Sequence, residues 1–205
     1  MARQNILVYI KQLKRPVFAT SEIIALSGKS PSTVTQSLNY LESQGLIIKV
    51  HRGIWAEADS RVSPYSIIPF LMPQSRAYVS FVSALHLHGM IEQIPQVITL
   101  ASTSHTRTVH TKMGTFTIHR ITPQFFKGFD WYRGAGNFLI AQPEKALVDS
   151  LYISAYKSKQ FGFFPEMNFP KEFRFSKARG WAKEIPQAKI RCYVQKKLEV
   201  LFKKC

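Results

Sequence analysis

The residue pattern predicts an α+β protein in two parts: three short helices closed by a hairpin, then a mixed α/β domain with a helical C-terminal tail. Three observations carry this. The N-terminal stretch shows capped, glycine-terminated helices joined by the tight turn "SGKS". The middle of the chain alternates apolar strand-like runs with helical periodicity. The C-terminal stretch holds two amphipathic, lysine-rich segments.

The first helix fits "RQNILVYIKQL", with Ile6, Leu7, Ile10 and Leu13 on one stripe, and "KRP" ends it. The second is "TSEIIALSG". Thr20 or Ser21 is the expected N-cap, Glu22 lies in the first turn, and Gly28 stops the helix. The third opens "SPSTVTQSLNYLESQGLI", residues 30–47. Ser30 is the N-cap, and Pro31 takes the first helical position, where its missing N–H costs nothing. Gly45 ends this helix. Val34, Leu38 and Leu41 face inward at helical spacing. The opposite face carries Ser32, Thr33, Gln36, Asn39, Tyr40 and Ser43, which can hydrogen-bond but carry no charge. "LIIKVHRGIWAEA" then gives two strand-like runs around "HRG", a hairpin signal.

This order of elements is that of a winged helix-turn-helix over residues 1–60. A helix in the major groove needs donors and acceptors that match base edges, and Gln or Asn can contact adenine bidentately. Ser32, Thr33, Gln36, Asn39 and Tyr40 are therefore the candidate groove-facing set. Lys29, Lys49, His51 and Arg52 are the candidate phosphate contacts, with Arg52 at the hairpin tip in reach of a minor groove. The competing account is a polar surface that binds protein. The order of the elements favours double-stranded DNA.

Residues 61–75 hold three prolines, "SPYSIIPFLMP", and read as a partly apolar linker. A second domain follows over residues 76–205, its basic helical tail beginning near 156. "RAYVSFVSALHLHG" reads as a helix ending at Gly89 and "QVITLAS" as a buried strand. A hairpin turns at Lys112-Met113-Gly114, and "NFLIAQ" is a further strand. "QPEKALVDSLYISA" is a helix with Pro143 in its first turn and Glu144 well placed at its N-terminus. "SKARGWAKEI" and "QAKIRCYVQKKLEVLFKK" read as two closing helices. The last has Ile190, Val194, Leu198 and Leu201 on its apolar stripe.

The net charge of +16 points to a polyanion or an acidic protein partner. More than half of that excess, +9, sits in residues 157–205. No run approaches the roughly 20 apolar residues of a membrane helix. Two cysteines, Cys192 and Cys205, stand too far apart along one helix to pair. They and the lack of an export signal lead to the expectation of a reducing cytoplasm.

Catalytic chemistry is not expected. His86 and His88 diverge on a helix, and His105, His110 and His119 have no acidic or thiol companions, so no metal site is assigned. Glu144, Lys145 and Asp149 read as structural: Glu144 at a helix N-terminus, Lys145 or Asp149 pairing across the fold. No acid, base and nucleophile converge, and no cofactor motif is present. "KSKQFGFFPEMNFPKEFRF" has the make-up of a stacking platform for single strands, but Phe is a common core residue and a wrapping role is favoured.

Taken together, "GLIIKVHRGIW", "AYVSFVSALHLHGMIEQIP" and "AQPEKALVDSLYI" resemble the antitoxin of the AbiE abortive-infection system, a type IV toxin–antitoxin pair. The resemblance covers about residues 1–155; "HRGIW", "SALHLHG" and "PEKALVD" are its most specific pieces. Trp55 stands where the family usually has Tyr. The resemblance implies an autorepressor that binds inverted repeats of its operator through the N-terminal domain. It implies a C-terminal domain that counters a nucleotidyltransferase-like toxin encoded alongside, by direct contact or otherwise. A stand-alone winged-helix regulator with a ligand-sensing second domain is the alternative.

Overall fold

The computed structural model describes residues 5–134, 137–156 and 166–203. The chain divides into two compact units, Met1–Pro73 with His110–Gly114, and Gln74–Val109 with Thr115–Cys205.

The first unit runs α1 (Ile6–Gln12), β1 (Val17–Ala19), α2 (Thr20–Ser27), α3 (Pro31–Ser43), β2 (Ile47–His51) and β3 (Ile54–Glu57). Its three-stranded sheet has the order β1-β3-β2, with β3 antiparallel to both neighbours. β1 was not expected, because three residues are too short to show a period. It aligns Phe18 with Trp55. Ile6, Ile10, Phe18, Ile23, Val34, Leu38, Leu41, Ile47 and Trp55 form the core between helices and sheet. The expected stripe of α1 holds at Ile6 and Ile10, while Leu7 and Leu13 are half-buried. The helix starts at Ile6 with Asn5 as its N-cap; Arg3 and Gln4, expected within it, lie outside the described residues.

One expected cap moves. Ala19, not Thr20 or Ser21, is the N-cap of α2. Alanine has no acceptor, so only the return half of a capping box exists: the Ala19 N–H donates to Glu22 Oε2 at 2.8 Å. Thr20 is engaged elsewhere, its Oγ1 accepting from Trp55 Nε1 at 2.9 Å. That bond satisfies a buried indole and ties the start of α2 to β3.

The segment expected as a linker is folded. Pro64–Ile67 makes a 3-10 turn that runs into α4 (Ile68–Leu71). Ile67, Ile68, Leu71 and Met72 are buried, and the Arg15 guanidinium lies 5.1 Å over the Phe70 ring.

The second unit contains β4 (Ala77–Val79), α5 (Phe81–Leu87), β5 (Ile98–Ser102), β6 (Arg107–Thr111), β7 (Gly114–Arg120), β8 (Phe129–Trp131) and β9 (Leu139–Ala141), with the β6–β7 turn grouped with the first unit. Then come α6 (Pro143–Ser154), α7 (Phe175–Lys183) and α8 (Ala188–Phe202). The sheet order is β6-β7-β5-β4-β9-β8. β4 lies antiparallel to β5 and parallel to β9. The helix expected from "RAYVSFVSALHLHG" is thus a strand and a helix: Ala77–Val79 is interior to the sheet, and the helix begins only at Phe81. The elbow between them puts Phe81 at φ +57, a left-handed conformation costing about 1–3 kcal/mol for such a residue. Its ring is fully buried, edge-on to His119 at 5.0 Å.

α6 packs against α5, α7 and α8. Val194 and Leu198 are the buried residues of α8, with Ile190 and Leu201 half-buried beside them. Of the Phe-rich segment, residues 157–165 lie outside the described residues. Phe169, Phe173 and Phe175 pack on one another and on Phe202, with the Phe175 and Phe202 centroids 4.6 Å apart. These rings wrap the end of α8. Cys192 is a free, exposed thiol. No helix among the described residues is long and apolar enough to cross a membrane.

Candidate nucleic-acid interface

α3 is built as its residues dictate. Ser30 caps it, its Oγ accepting the Thr33 N–H at 3.2 Å, and Pro31 occupies the first position. The same Oγ exchanges hydrogen bonds with the hydroxyls of Ser32 (3.0 Å) and Thr33 (2.8 Å). Val34 and Leu38 are fully buried and Leu41 nearly so. This fixes the roll of the helix and sends Ser32, Gln36, Asn39 and Ser43 directly outward. Ser32, Thr33, Gln36, Asn39 and Tyr40 are all exposed, Tyr40 by 64%. Ser43 is less available, because its Oγ donates to the Tyr40 carbonyl at 2.7 Å.

The expected cations have distinct surroundings. Arg52 is exposed at the tip between β2 and β3, where Gly53 supplies φ +73 for the turn. His51 is half-buried beside it, opposite Ile54. Lys49 is half-buried with its ammonium 5.4 Å over the Trp55 ring. Lys29 is half-buried, its ammonium 6.0 Å over the Tyr9 ring, just before the α3 cap. Both lysines are therefore partly committed to aromatic faces, and Arg52 alone of the four is exposed.

One feature of this face was not foreseen. Glu42 would set a negative charge on the flank of α3. Its Oε1 accepts the Lys49 N–H at 3.1 Å and pairs with Lys112 at 3.4 Å. Lys112 belongs to the His110–Gly114 segment grouped with this unit, so no local pattern could have supplied it. Glu57 and Glu22 are likewise held, by Lys11 (2.9 Å) and by Arg15. Three of the unit's carboxylates are thus paired, which reduces the repulsion an approaching phosphate would meet.

A second polar cluster lies in the other unit. Lys145 and Asp149, one turn apart on α6, are fully buried and form an ion pair. Asp149 also accepts from the Tyr78 hydroxyl (3.0 Å) and from Ser80 Oγ (2.8 Å). The Lys145 ammonium sits 3.8 Å over the Phe125 ring. Burial pulls the Lys145 pKa down, opposed by Asp149, and burial with Asp149 pushes the Tyr78 phenol well up. Glu144, also buried, accepts the Arg174 N–H at 3.0 Å. With no exposed surface on Lys145, Asp149 or Ser80, this cluster holds β4 to α6 rather than presenting a reactive group. The expected pairing is realised within α6 and out to β4. Among the described residues no group of His, Cys, Asp and Glu is arranged to hold a metal ion.

The first unit is therefore a helix-turn-helix-like domain of the kind found in transcriptional regulators. Residues 6–58 match the model of a family described as transcriptional regulator, AbiEi antitoxin. Over that segment, about a quarter of the chain, the sequence is similar to the AbiEi antitoxin regulators. "HRGIW" falls inside the match, whereas "SALHLHG" and "PEKALVD" lie beyond it. Comparison with curated proteins found no match.

Proposed function

We propose that this chain is a non-catalytic, cytoplasmic antitoxin that represses its own operon by binding inverted repeats in double-stranded operator DNA. In this reading the first domain reads the operator, and the second counters a cognate nucleotidyltransferase-like toxin. The observation that carries the DNA reading is α3 itself: a capped helix with its apolar stripe buried and an outward face of uncharged hydrogen-bonding groups. Gln36 and Asn39 take the base edges, Ser32, Thr33 and Tyr40 border them, and Lys29, Lys49, His51 and Arg52 approach phosphates. The antitoxin role rests on the family match of residues 6–58.

The test is operator binding by the full chain, measured by fluorescence anisotropy over a salt series. Gln36→Ala and Asn39→Ala each cost on the order of 1–3 kcal/mol on operator and far less on random DNA. Arg52→Ala weakens both DNAs alike and lowers the salt slope by about one. Operator binding indifferent to the loss of both Gln36 and Asn39 would sink the placement of the reading helix. The division of labour is tested separately. The Gln36→Ala/Asn39→Ala chain should lose promoter repression yet still rescue growth when the toxin is induced. Lost rescue at matched protein levels would show that protection runs through DNA binding.

A further inference from the structure

The second unit carries a half-open cavity of ≈ 620 Å³ at the end of β7, facing the last turns of α6. That volume lies within the roughly 300–1,000 Å³ of small-molecule sites. Ile121 and Ile153 give it apolar wall, Thr122, Tyr152 and Tyr156 bring hydroxyls, and Arg120 brings a cation. No Asp or Glu is among the described residues that line it.

The chemistry of this lining is specific. The Arg120 main-chain N–H is held by Thr106 Oγ1 at 3.0 Å, which fixes the backbone from which the guanidinium extends. Among the described residues Arg120 forms no ion pair. Tyr152 and Tyr156 stand edge to face at 5.5 Å, their hydroxyls 3.2 Å apart. Both can donate to Gln187 Oε1, at 3.5 Å from Tyr152 and 3.1 Å from Tyr156. The exposed Tyr156 hydroxyl keeps a lone pair for a ligand's donor. Burial and the neighbouring Tyr156 hydroxyl raise the Tyr152 phenol, so it stays protonated. Burial keeps the His119 ring neutral above about 4, so among the described lining residues Arg120 alone is charged at neutral pH.

We propose that this cavity is a binding site for a small aromatic or heteroaromatic anion. The flat ring lies against Tyr156 and the isoleucines, and the acidic group pairs with Arg120. Arginine presents planar, forked donors that match a carboxylate or a phosphate. Aromatic carboxylates and nucleoside monophosphates share this chemistry. The inference does not depend on operator recognition.

The test is calorimetric titration of the full chain with salicylate and with AMP, each beside its uncharged counterpart, salicylamide and adenosine. At least one acid should bind saturably and about tenfold tighter than its neutral counterpart. Arg120→Gln should erase that difference, and Tyr156→Ala should weaken acid and neutral form alike. Both side chains are exposed, so neither change threatens the fold. Lys197→Gln removes an equal charge from the exposed face of α8 and should change nothing. Which acid binds identifies the source. Absence of saturable binding by both acids overturns the proposal. So does binding that survives Arg120→Gln, or that Lys197→Gln weakens as much.

Discussion

α3 and α6 both begin on a proline and run for 13 and 12 residues, yet they put their polar groups on opposite sides of the protein surface. α3 turns Gln36 and Asn39 to solvent and buries only aliphatic side chains. α6 buries Glu144, Lys145, Asp149 and Ser150 along with its aliphatic residues. The difference is in what surrounds each helix. α3 is covered on one side by α1, α2 and β2, whereas α6 is packed by α5, α7, α8 and β9. A helix enclosed on several sides must satisfy its polar groups internally, and α6 does so with Tyr78, Ser80, Arg174 and its own Lys–Asp pair. A helix with one open side keeps its hydrogen-bonding capacity for something outside the molecule. Polarity on α6 thus serves cohesion, and polarity on α3 is left facing solvent.

The most severe way to break this contrast is to open the buried pair. Asp149→Ala leaves the Lys145 ammonium and two hydroxyls without their acceptor. It should cost on the order of 3–5 kcal/mol in denaturant unfolding. The double change Lys145→Met/Asp149→Leu should cost less than either single change. Equal losses would show that volume, not charge, sets the stability of α6.

Next in size is acid sensitivity. Burial lowers the His119 pKa from 6.5 to about 4, so between those values the unfolded chain binds a proton that the folded chain refuses. The stability from the neutral ring is complete above pH 6.5 and is lost as pH falls toward 4. Over that window the loss is on the order of 3 kcal/mol. Thermal melts at stepped pH should show it, and His119→Gln should flatten that limb of the curve. An unchanged limb would place the acid sensitivity elsewhere.

Smaller again is the α3 cap. Ser30→Ala removes the acceptor for the Thr33 N–H and should cost about 1 kcal/mol of stability. Smallest is the outer face of α3. Gln36→Ala and Asn39→Ala, both exposed, should each change stability by less than about 0.5 kcal/mol. Unfolding midpoints decide it. A large loss there would mean that α3 uses its outer face for cohesion too, and the contrast with α6 would fail.

How much of this could be read beforehand follows the range of the interactions. α3 was legible because cap, proline, stripe and glycine all lie within one short segment. The roles of Glu144 and Asp149 were legible in kind, from helix position and spacing. Their partners were not: Tyr78, Ser80 and Arg174 are far away in the chain and bring no local pattern. β1, β4 and β8 each have three residues, too few to show alternation, and pairing alone makes them strands. The cavity beside Arg120 needs β7 and α6 together, and no motif announces it.

The folded stretch after Glu57 has a practical meaning for anyone who would move the N-terminal unit between proteins. A graft that stopped at residue 60 would leave behind Ile67, Ile68, Leu71 and Met72, which are buried, and the Phe70 ring that lies under Arg15. The transplanted piece would arrive without the ring that lies under Arg15 and without four buried apolar residues of its own unit. The portable piece extends at least to Pro73, and the apparent spacer belongs to the cargo.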